Sequence, residues 1–273
     1  MTGQELSLNK AGQLAGISHN ALYYKPKPRF VAPKPENVAL VREWCFTKPT
    51  YGYRRITAML RRNNVQVNHK QVHRIMQLNN WLLPFHKRYR QRTGKTLPLP
   101  SAPDQYWQAD FIQLHCGMDG KAYLFNVLDC FDRCWVGYSL SQTCMTSDNE
   151  PAVSMALEKR APTTMRIPGL VFQSDNGSQY ISNRFEAFLK QSGFVHETIR
   201  KSTPEDNAFI ESLHATLRID YALCEFESFQ QAQQAVRYAH TDYNDERIHS
   251  SLGYKTPSEF HEETLKKVSL QNQ

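Results

Sequence analysis

The sequence predicts an α/β chain: all-α helix-turn-helix units first, then a core built on a mixed five-stranded sheet with helices. Three observations predict it. From Gln105 onward, aromatic and β-branched runs are separated by turn-forming clusters and by capped helical stretches. Before Gln105, apolar residues recur at helical spacing among many basic ones. The charge divides at nearly the same place. Residues 1–100 hold 18 Lys/Arg and 3 Asp/Glu, a balance of +15, whereas the rest of the chain carries −8. A third of the chain almost without acids points to a polyanion, and double-stranded DNA is the expected partner.

The elements follow in order. Residues 1–26 read as a helix-turn-helix around Gly16-Ile17-Ser18. Leu8, Ala11, Leu14 and Ala15 form the expected inner face of its first helix; Ser18 caps the second, and Leu22 packs inward. An ordinary helical hairpin fits the same residues. Residues 27–36 form a stiff basic, proline-rich linker. A second helix-turn-helix-like domain spans 37–83. Its expected elements are a helix through Val38 and Trp44, one from near Tyr53 with Ile56, Met59 and Leu60 inside, and one from His69 capped by Asn68. Arg54, Arg55, Arg61, Arg62, Lys70 and Arg74 are left for the outside, against phosphates. A second basic linker, 84–104, adds Lys87, Arg88 and Arg90 to the expected DNA contacts.

In the core, 105–225, the runs Trp107–Leu114, Tyr123–Leu128 and Cys134–Leu140 read as a three-stranded antiparallel meander. Ser147-x-x-Glu150 reads as a capping box opening a helix to about Lys159. Leu170–Gln173 is a short strand parallel to the first. Ser182 caps a helix that stops at Gly193, and Phe194–Thr198 is the fifth strand. The region 226–273 holds a helix from Phe229 to about Asn244, then a tail.

Three acids dominate the chemistry. Asp110 lies in a strand-like run, Asp175 ends another, and Glu211 opens a helical stretch 35 intervening positions later. Carboxylates gathered from two strands and a helix repel one another unless cations bridge them. Two ions so held suit in-line phosphoryl displacement on a nucleic-acid backbone. An all-oxygen site suits Mg²⁺, two ions, with Mn²⁺ substituting. Asp129 and Asp132 read as turn residues, Asp206 as the cap of the Glu211 helix, and Asn176-Gly177 as a loop that lets a phosphate approach. Arg218 is seven residues past Glu211 and shares its helix face. His214, between them, reads as a DNA neighbour rather than a ligand. The six cysteines contain no C-x-x-C pair and read as reduced, mostly buried thiols. His69 and His73 lack partner cysteines, so no zinc is expected.

The motifs carrying these residues are Ser174-Asp175-Asn176-Gly177-Ser178-Gln179-Tyr180, Asp206-Asn207-Ala208-x-x-Glu211-Ser212, and Tyr243-Asn244-x-x-Arg247-x-His249-x-x-Leu252-Gly253-Tyr254-x-x-Pro257. With the D-D-(35)-E spacing they resemble the catalytic frame B protein of insertion-sequence-three family transposases, relatives of retroviral integrases, from about Leu6 to Phe260. The resemblance implies a ribonuclease-H-like core, with Asp110, Asp175 and Glu211 as catalytic residues and metal ligands. It also implies cleavage and joining of element ends, then integration into a target, by a homo-oligomer on DNA. An upstream frame A protein is a further implied partner. Where the family usually has lysine, this chain has Arg218. With no apolar run of membrane length and no signal peptide, a bacterial cytoplasmic, nucleoid-associated protein is expected. A metal nuclease of the same fold and a non-catalytic DNA-binding regulator are the alternatives. The tail signature fits contact with DNA, contact with a second subunit, or docking on its own core.

Overall fold

The computed structural model describes residues 7–25, 32–84, 99–177, 179–199 and 207–271. Helices α1 (Leu8–Leu14) and α2 (His19–Leu22) turn at Gly16, whose φ of +67° favours glycine. The expected inner face is not formed: Leu8, Ala11, Leu14 and Ala15 are all exposed. Instead Leu22 seats on Gly12, where a Cβ would lie 2.3 Å from Leu22 Cδ1. A four-residue second helix offers too little surface to cover a whole stripe. Ser18 stands at the N-cap position, but its side chain makes no capping bond.

Helices α3 (Pro35–Thr47), α4 (Tyr53–Arg62) and α5 (His69–Leu78) close around Val41, Ile56, Leu60, Val72, Ile75 and Met76. Asn68 caps α5 as expected, accepting from Lys70 N at 2.9 Å. His69 and His73 both lie against the ring of Tyr53.

The sheet holds β1 (Tyr106–Cys116), β2 (Lys121–Asp129), β3 (Trp135–Ser141), β4 (Val171–Ser174) and β5 (Val195–Thr198) in the order β3-β2-β1-β4-β5. β1 is central, antiparallel to β2 and parallel to β4. Alternation along β1 sends Trp107 and Ala109 toward α6 (Thr146–Arg160) and α7 (Asn183–Gln191). Ile112, Leu114 and Cys116 go toward α8 (Ala208–Asp220) and α9 (Phe229–Thr241). Gly137 lets β3 approach α6 closely, since a Cβ there would fall 2.0 Å from Ala152 O. The helix α7 begins at Ser182, which accepts from Phe185 N, and ends at Gly193 with φ +82°.

Three expectations are corrected here. A sixth strand, β6 (Glu225–Phe226), pairs in parallel with the end of β1 at His115 and Cys116; two residues are too few to leave a strand pattern. The Ser147–Glu150 box is not made. Helix α6 starts at Thr146, Asp148 accepts from Met145 N (2.8 Å) and the Thr143 hydroxyl (2.7 Å), and Glu150 pairs with Arg184 of α7 instead. Finally, α10 (Pro257–Gln271) follows the tail signature, where no helix was anticipated.

The tail docks on its own chain. After α9 a π turn (Asp242–Glu246) buries Tyr243 and Asn244. Asn244 Oδ1 accepts from Trp135 N at 3.0 Å, and Arg247 Nε donates to Asp220 Oδ2 at 2.7 Å. Ile248 is fully buried in the core of α3–α5, and its N–H donates to Tyr51 Oη at 3.2 Å. One segment therefore ties the second helical unit to the sheet domain. Among the described residues, no helix is long and apolar enough to cross a membrane.

Candidate active site

Asp110 stands midway along β1, on the face that looks toward α8, opposite Asn126 of β2. Asp175 follows the last residue of β4, whose Ser174 pairs with Ala109 in β1. Parallel pairing of these two strands thus brings both carboxylates to one end of the sheet. Glu211 lies in the first turn of α8, exposed. That turn is pinned to the sheet by Gln108, whose Oε1 accepts from Ile210 N at 3.1 Å while its Nε2 donates to Gln173 Oε1 at 2.8 Å. A first-turn N–H is an orphan donor in any helix, and here a buried glutamine of β1 satisfies it. The sequence offered no sign of this pair, because two interior glutamines break the apolar strand pattern without announcing a partner.

Asp110 is the electrostatic centre. Its Oδ1 accepts from Phe111 N (2.8 Å) and its Oδ2 from Asn207 Nδ2 (3.3 Å). Burial first, then the charges of Asp175 and Glu211, push its carboxyl up to about 7, with the Phe111 and Asn207 bonds opposing. Asp175 is held by Gly177 N donating to its Oδ1 at 2.9 Å, and Asn176 ties the loop to β5 through Ile199 O (2.7 Å). On the side where a Cβ would stand, Gly177 meets the Gln179 side chain, 2.2 Å away.

His214 is corrected from DNA neighbour to interior residue. It is 7% exposed; its Nδ1 lies 3.8 Å from Asp110 Oδ2 and its Nε2 3.2 Å from Asn126 Nδ2. Burial, then the charge of Arg218, lower its pKa to about 3, so the ring is neutral. Asn126 can donate only to an unprotonated Nε2, which leaves the proton on Nδ1, facing Asp110. Arg218 is exposed on the same face of α8 as Glu211. Asn207, rather than Asp206, precedes α8; Asp206 lies outside the described residues.

The donor set bears on which cation could bind. Asp110, Asp175 and Glu211 supply oxygen alone, which suits a hard divalent ion. Two buried oxygens, Asn207 Oδ1 and Tyr180 Oη, have no hydrogen-bond partner, and Tyr180 is close enough to feel the charges of Asp110 and Asp175. Among the described residues, no three acidic, histidine or cysteine groups converge to coordinating distance. The fit is one of donor chemistry, three all-oxygen carboxylates suited to a hard cation, rather than of present distance.

The basic residues fall into different situations. Arg54 and Lys70 are exposed. Arg61 donates to Val67 O at 3.2 Å, and Arg62 pairs with Glu259 of α10. Arg55 is not on the outside: it is half-buried over the Tyr51 ring, and burial, then the charge of Arg247, lower its pKa. Arg74 is also half-buried. Lys87, Arg88 and Arg90 lie outside the described residues.

Comparison with known proteins agrees with this arrangement. The chain matches the integrase core domain over residues 100–204 and again over 192–257, and an HTH-like domain over 36–89. It is 33% identical over 228 residues to the transposase for insertion sequence element IS904 of Lactococcus lactis, covering 78% of this chain and 88% of the relative. The putative transposase InsK for element IS150 of Escherichia coli K12 is 29% identical over 275 residues, 94% of each chain. A simian T-cell lymphotropic virus intasome shares the fold, with a TM-score of 0.50 and 16% identity over 81% of this chain and 74% of the viral chain. The ribonuclease-H-like sheet, its acidic end and the transposase relatives lead to one assignment: this chain belongs to the insertion-sequence-three family of DDE transposases.

Proposed function

We propose that this transposase cuts and joins the ends of its element with Asp110, Asp175 and Glu211 as the catalytic set. One observation carries the reading: the central strand places Asp110, half-buried, where the end of β4 and the first turn of α8 add two further carboxylates whose charges reach it. A fold stabilised for its own sake would place a cation side chain there. Asp110, Asp175 and Glu211 would hold divalent ions, Mg²⁺ and two in number. Bound there, such ions would lower the pKa of an attacking hydroxyl and neutralise charge on the leaving oxygen.

The protein's own groups do the rest. Gln108 fixes the first turn of α8 and so the distance of Glu211 from β1. Asn207 donates to Asp110 Oδ2, and the neutral His214 ring lies behind that oxygen. In the first reaction a water oxygen bonds to phosphorus, the P–O3′ bond breaks, and a 3′-hydroxyl is released. In the second, that 3′-hydroxyl attacks another phosphodiester and displaces its 3′-oxygen, so the number of P–O bonds is conserved. Exposed Arg218, two turns along α8 from Glu211, and the basic helical units with their linkers supply the contacts to DNA. Homo-oligomer formation on DNA, an upstream frame A protein as partner, and a cytoplasmic, nucleoid-associated setting belong to the same proposal.

The test is a strand-cleavage and strand-transfer assay on labelled element ends, with Mg²⁺ or with chelator. Hydrolysis and joining in Mg²⁺, both lost in the Asp175→Asn and Glu211→Gln variants, are expected. Hydrolysis without joining would instead indicate a plain nuclease, and DNA binding without either reaction a regulator.

A further inference from the structure

A basic recess lies between the second helical unit and the tail. It is a cleft of about 630 Å³ lined by Arg54, Arg61, Arg62 and His69 on one side and by Tyr254 and Lys255 on the other. We propose that this cleft grips a backbone phosphate of the DNA, with the tail turn Gly253-Tyr254-Lys255 as its second wall. The proposal rests on the reading of the chain as a DNA transposase and adds a site for which the tail is required.

Charge favours an anion. Four cations line the cleft, and two carboxylates answer them: Glu259 on Arg62 and Glu263 on Lys255. No acidic residue is among the lining groups themselves. Arg62 Nη1 also donates to Tyr254 O at 3.2 Å, occupying the backbone carbonyl that would otherwise repel a phosphate. Arg54 and Arg61 keep guanidinium N–H groups free of carboxylate partners, and the planar fork of arginine suits phosphate oxygens. A phosphodiester, open on both sides to its sugars, matches a cleft with a broad mouth better than a small enclosed anion does.

Backbone strain marks the same turn. Gly253 and Tyr254 both have left-handed φ, +66° and +63°, and for tyrosine that conformation is disfavoured. It is held by Tyr254 N donating to His249 O (2.8 Å) and by the Arg62 bond. Strain kept in place by surrounding bonds is a mark of functional turns. The turn is also well anchored: Ile248 sits in the α3–α5 core, and Arg247 holds Asp220, the last residue of α8. A phosphate held in the cleft is therefore fixed relative to the helix that carries Glu211.

The experiment is binding of the full chain to element-end and random duplexes across a salt series, in chelator so that no chemistry intervenes. Each phosphate contact contributes about −0.9 to the log–log slope. Arg54→Gln and Lys255→Gln should each make the slope shallower by roughly that amount, and the double variant by about twice it. Lys266→Gln, on exposed α10 away from the cleft, should leave it unchanged. Glu263→Gln frees Lys255 and should tighten binding severalfold, a gain that a misfolded protein cannot produce. An unchanged slope in Lys255→Gln, or no gain in Glu263→Gln, overturns the role of the tail. An unchanged slope in Arg54→Gln overturns the cleft as a phosphate site. These outcomes are separate from the catalytic reading, which stands or falls on cleavage by the acidic variants.

Discussion

The sheet domain contains two clusters of acids, and their difference teaches what a raised pKa does and does not signal. One gathers Asp104, Asp129 and Asp132 around Arg160, with His261 of α10 alongside; the other gathers Asp175 and Glu211 around Asp110. Burial pushes both Asp129 and Asp110 upward, so that shift alone does not separate them. Their surroundings do. Asp129 is fully enclosed and its oxygens accept from Phe131 N, Asp104 N and Trp107 Nε1. Its neighbour Asp132, which burial would also raise, ends below the usual range because His261 and Arg160 bond to it. The first cluster thus contains its own cation and its own donors. Asp110 keeps 22% of its side chain exposed and has further carboxylates, not an arginine, for company. The first cluster carries its own cation; the second has none bonded to Asp110 among the described residues, which is the condition the proposed metal role needs.

The widest separation between the clusters should come from paired substitutions. Asp110→Asn is expected to reduce strand cleavage and joining to background while DNA binding persists, because it removes charge but little volume. Asp132→Asn should instead destabilise the protein by about 3–5 kcal/mol, since Arg160 would be left buried without its closest partner. Urea unfolding and a cleavage assay on the same two variants test both statements. A stable, inactive Asp132→Asn protein would reverse the assignment of the clusters.

A pH series sharpens the contrast. Asp110's folded pKa of about 7 lies above the ordinary 3.8, so the folded state holds that proton more tightly than the unfolded chain. Its contribution to stability is full below about 4 and is lost as pH rises through 7. In chelator, Asp110→Asn should therefore gain on the wild type over this window, by on the order of 1–4 kcal/mol. Buried neutral His214 and His240, with pKa values lowered to about 3 and about 4, act oppositely. Their contribution is present above about 6.5 and lost as pH falls. Added Mg²⁺ should stabilise the wild type near pH 7 with release of a proton, and leave Asp110→Asn unmoved. Equal Mg²⁺ stabilisation of both proteins would remove Asp110 from the metal site.

Local patterns and distant pairings explain what the sequence disclosed. The strands were legible because aromatic and branched runs are broken by Met118-Asp119-Gly120-Lys121 and by Asp129–Arg133, a signal within each segment. Asp110, Asp175 and Glu211 stand out in the sequence through spacing and flanking residues, and their joint catalytic role is the proposal made above. What was not legible depends on residues far apart in the chain. Gln108 to Ile210, Asp132 to His261 and Tyr51 to Ile248 leave no periodicity behind. Helix α10 escaped for a related reason: Leu265, Val268 and Leu270 remain exposed, so it presents no full apolar stripe. It is held by scattered contacts to distant parts of the chain, among them Phe260 on Phe131, His261 on Asp132 and Glu259 on Arg62.

A smaller effect should come from His214, which supports Asp110 from inside. His214→Asn is expected to lower cleavage by about 10–100-fold, the usual loss when the partner of a metal-site carboxylate is removed. Its apparent affinity for Mg²⁺ should weaken while DNA binding stays unchanged. A merely structural role would lower stability and leave the Mg²⁺ dependence where it was, so titrating activity against Mg²⁺ at matched folded fraction decides between them.

The smallest expected effect belongs to Arg218, an exposed cation on the helix that carries Glu211. It is exposed two turns along α8 from Glu211, and its charge already depresses His214. An arginine reaching a phosphate there would form a charge-assisted hydrogen bond that alanine cannot replace, so Arg218→Ala should reduce cleavage and weaken engagement of the ends. Arg218→Lys keeps the charge and should retain most of the activity. As an exposed surface residue, Arg218 should change folding stability by no more than a few tenths of a kcal/mol when replaced. Activity lost at unchanged stability therefore means contact with DNA. Unchanged cleavage by the alanine variant would mean that the acidic cluster meets its substrate without help from α8, and that the DNA is held by the helical units and the tail alone.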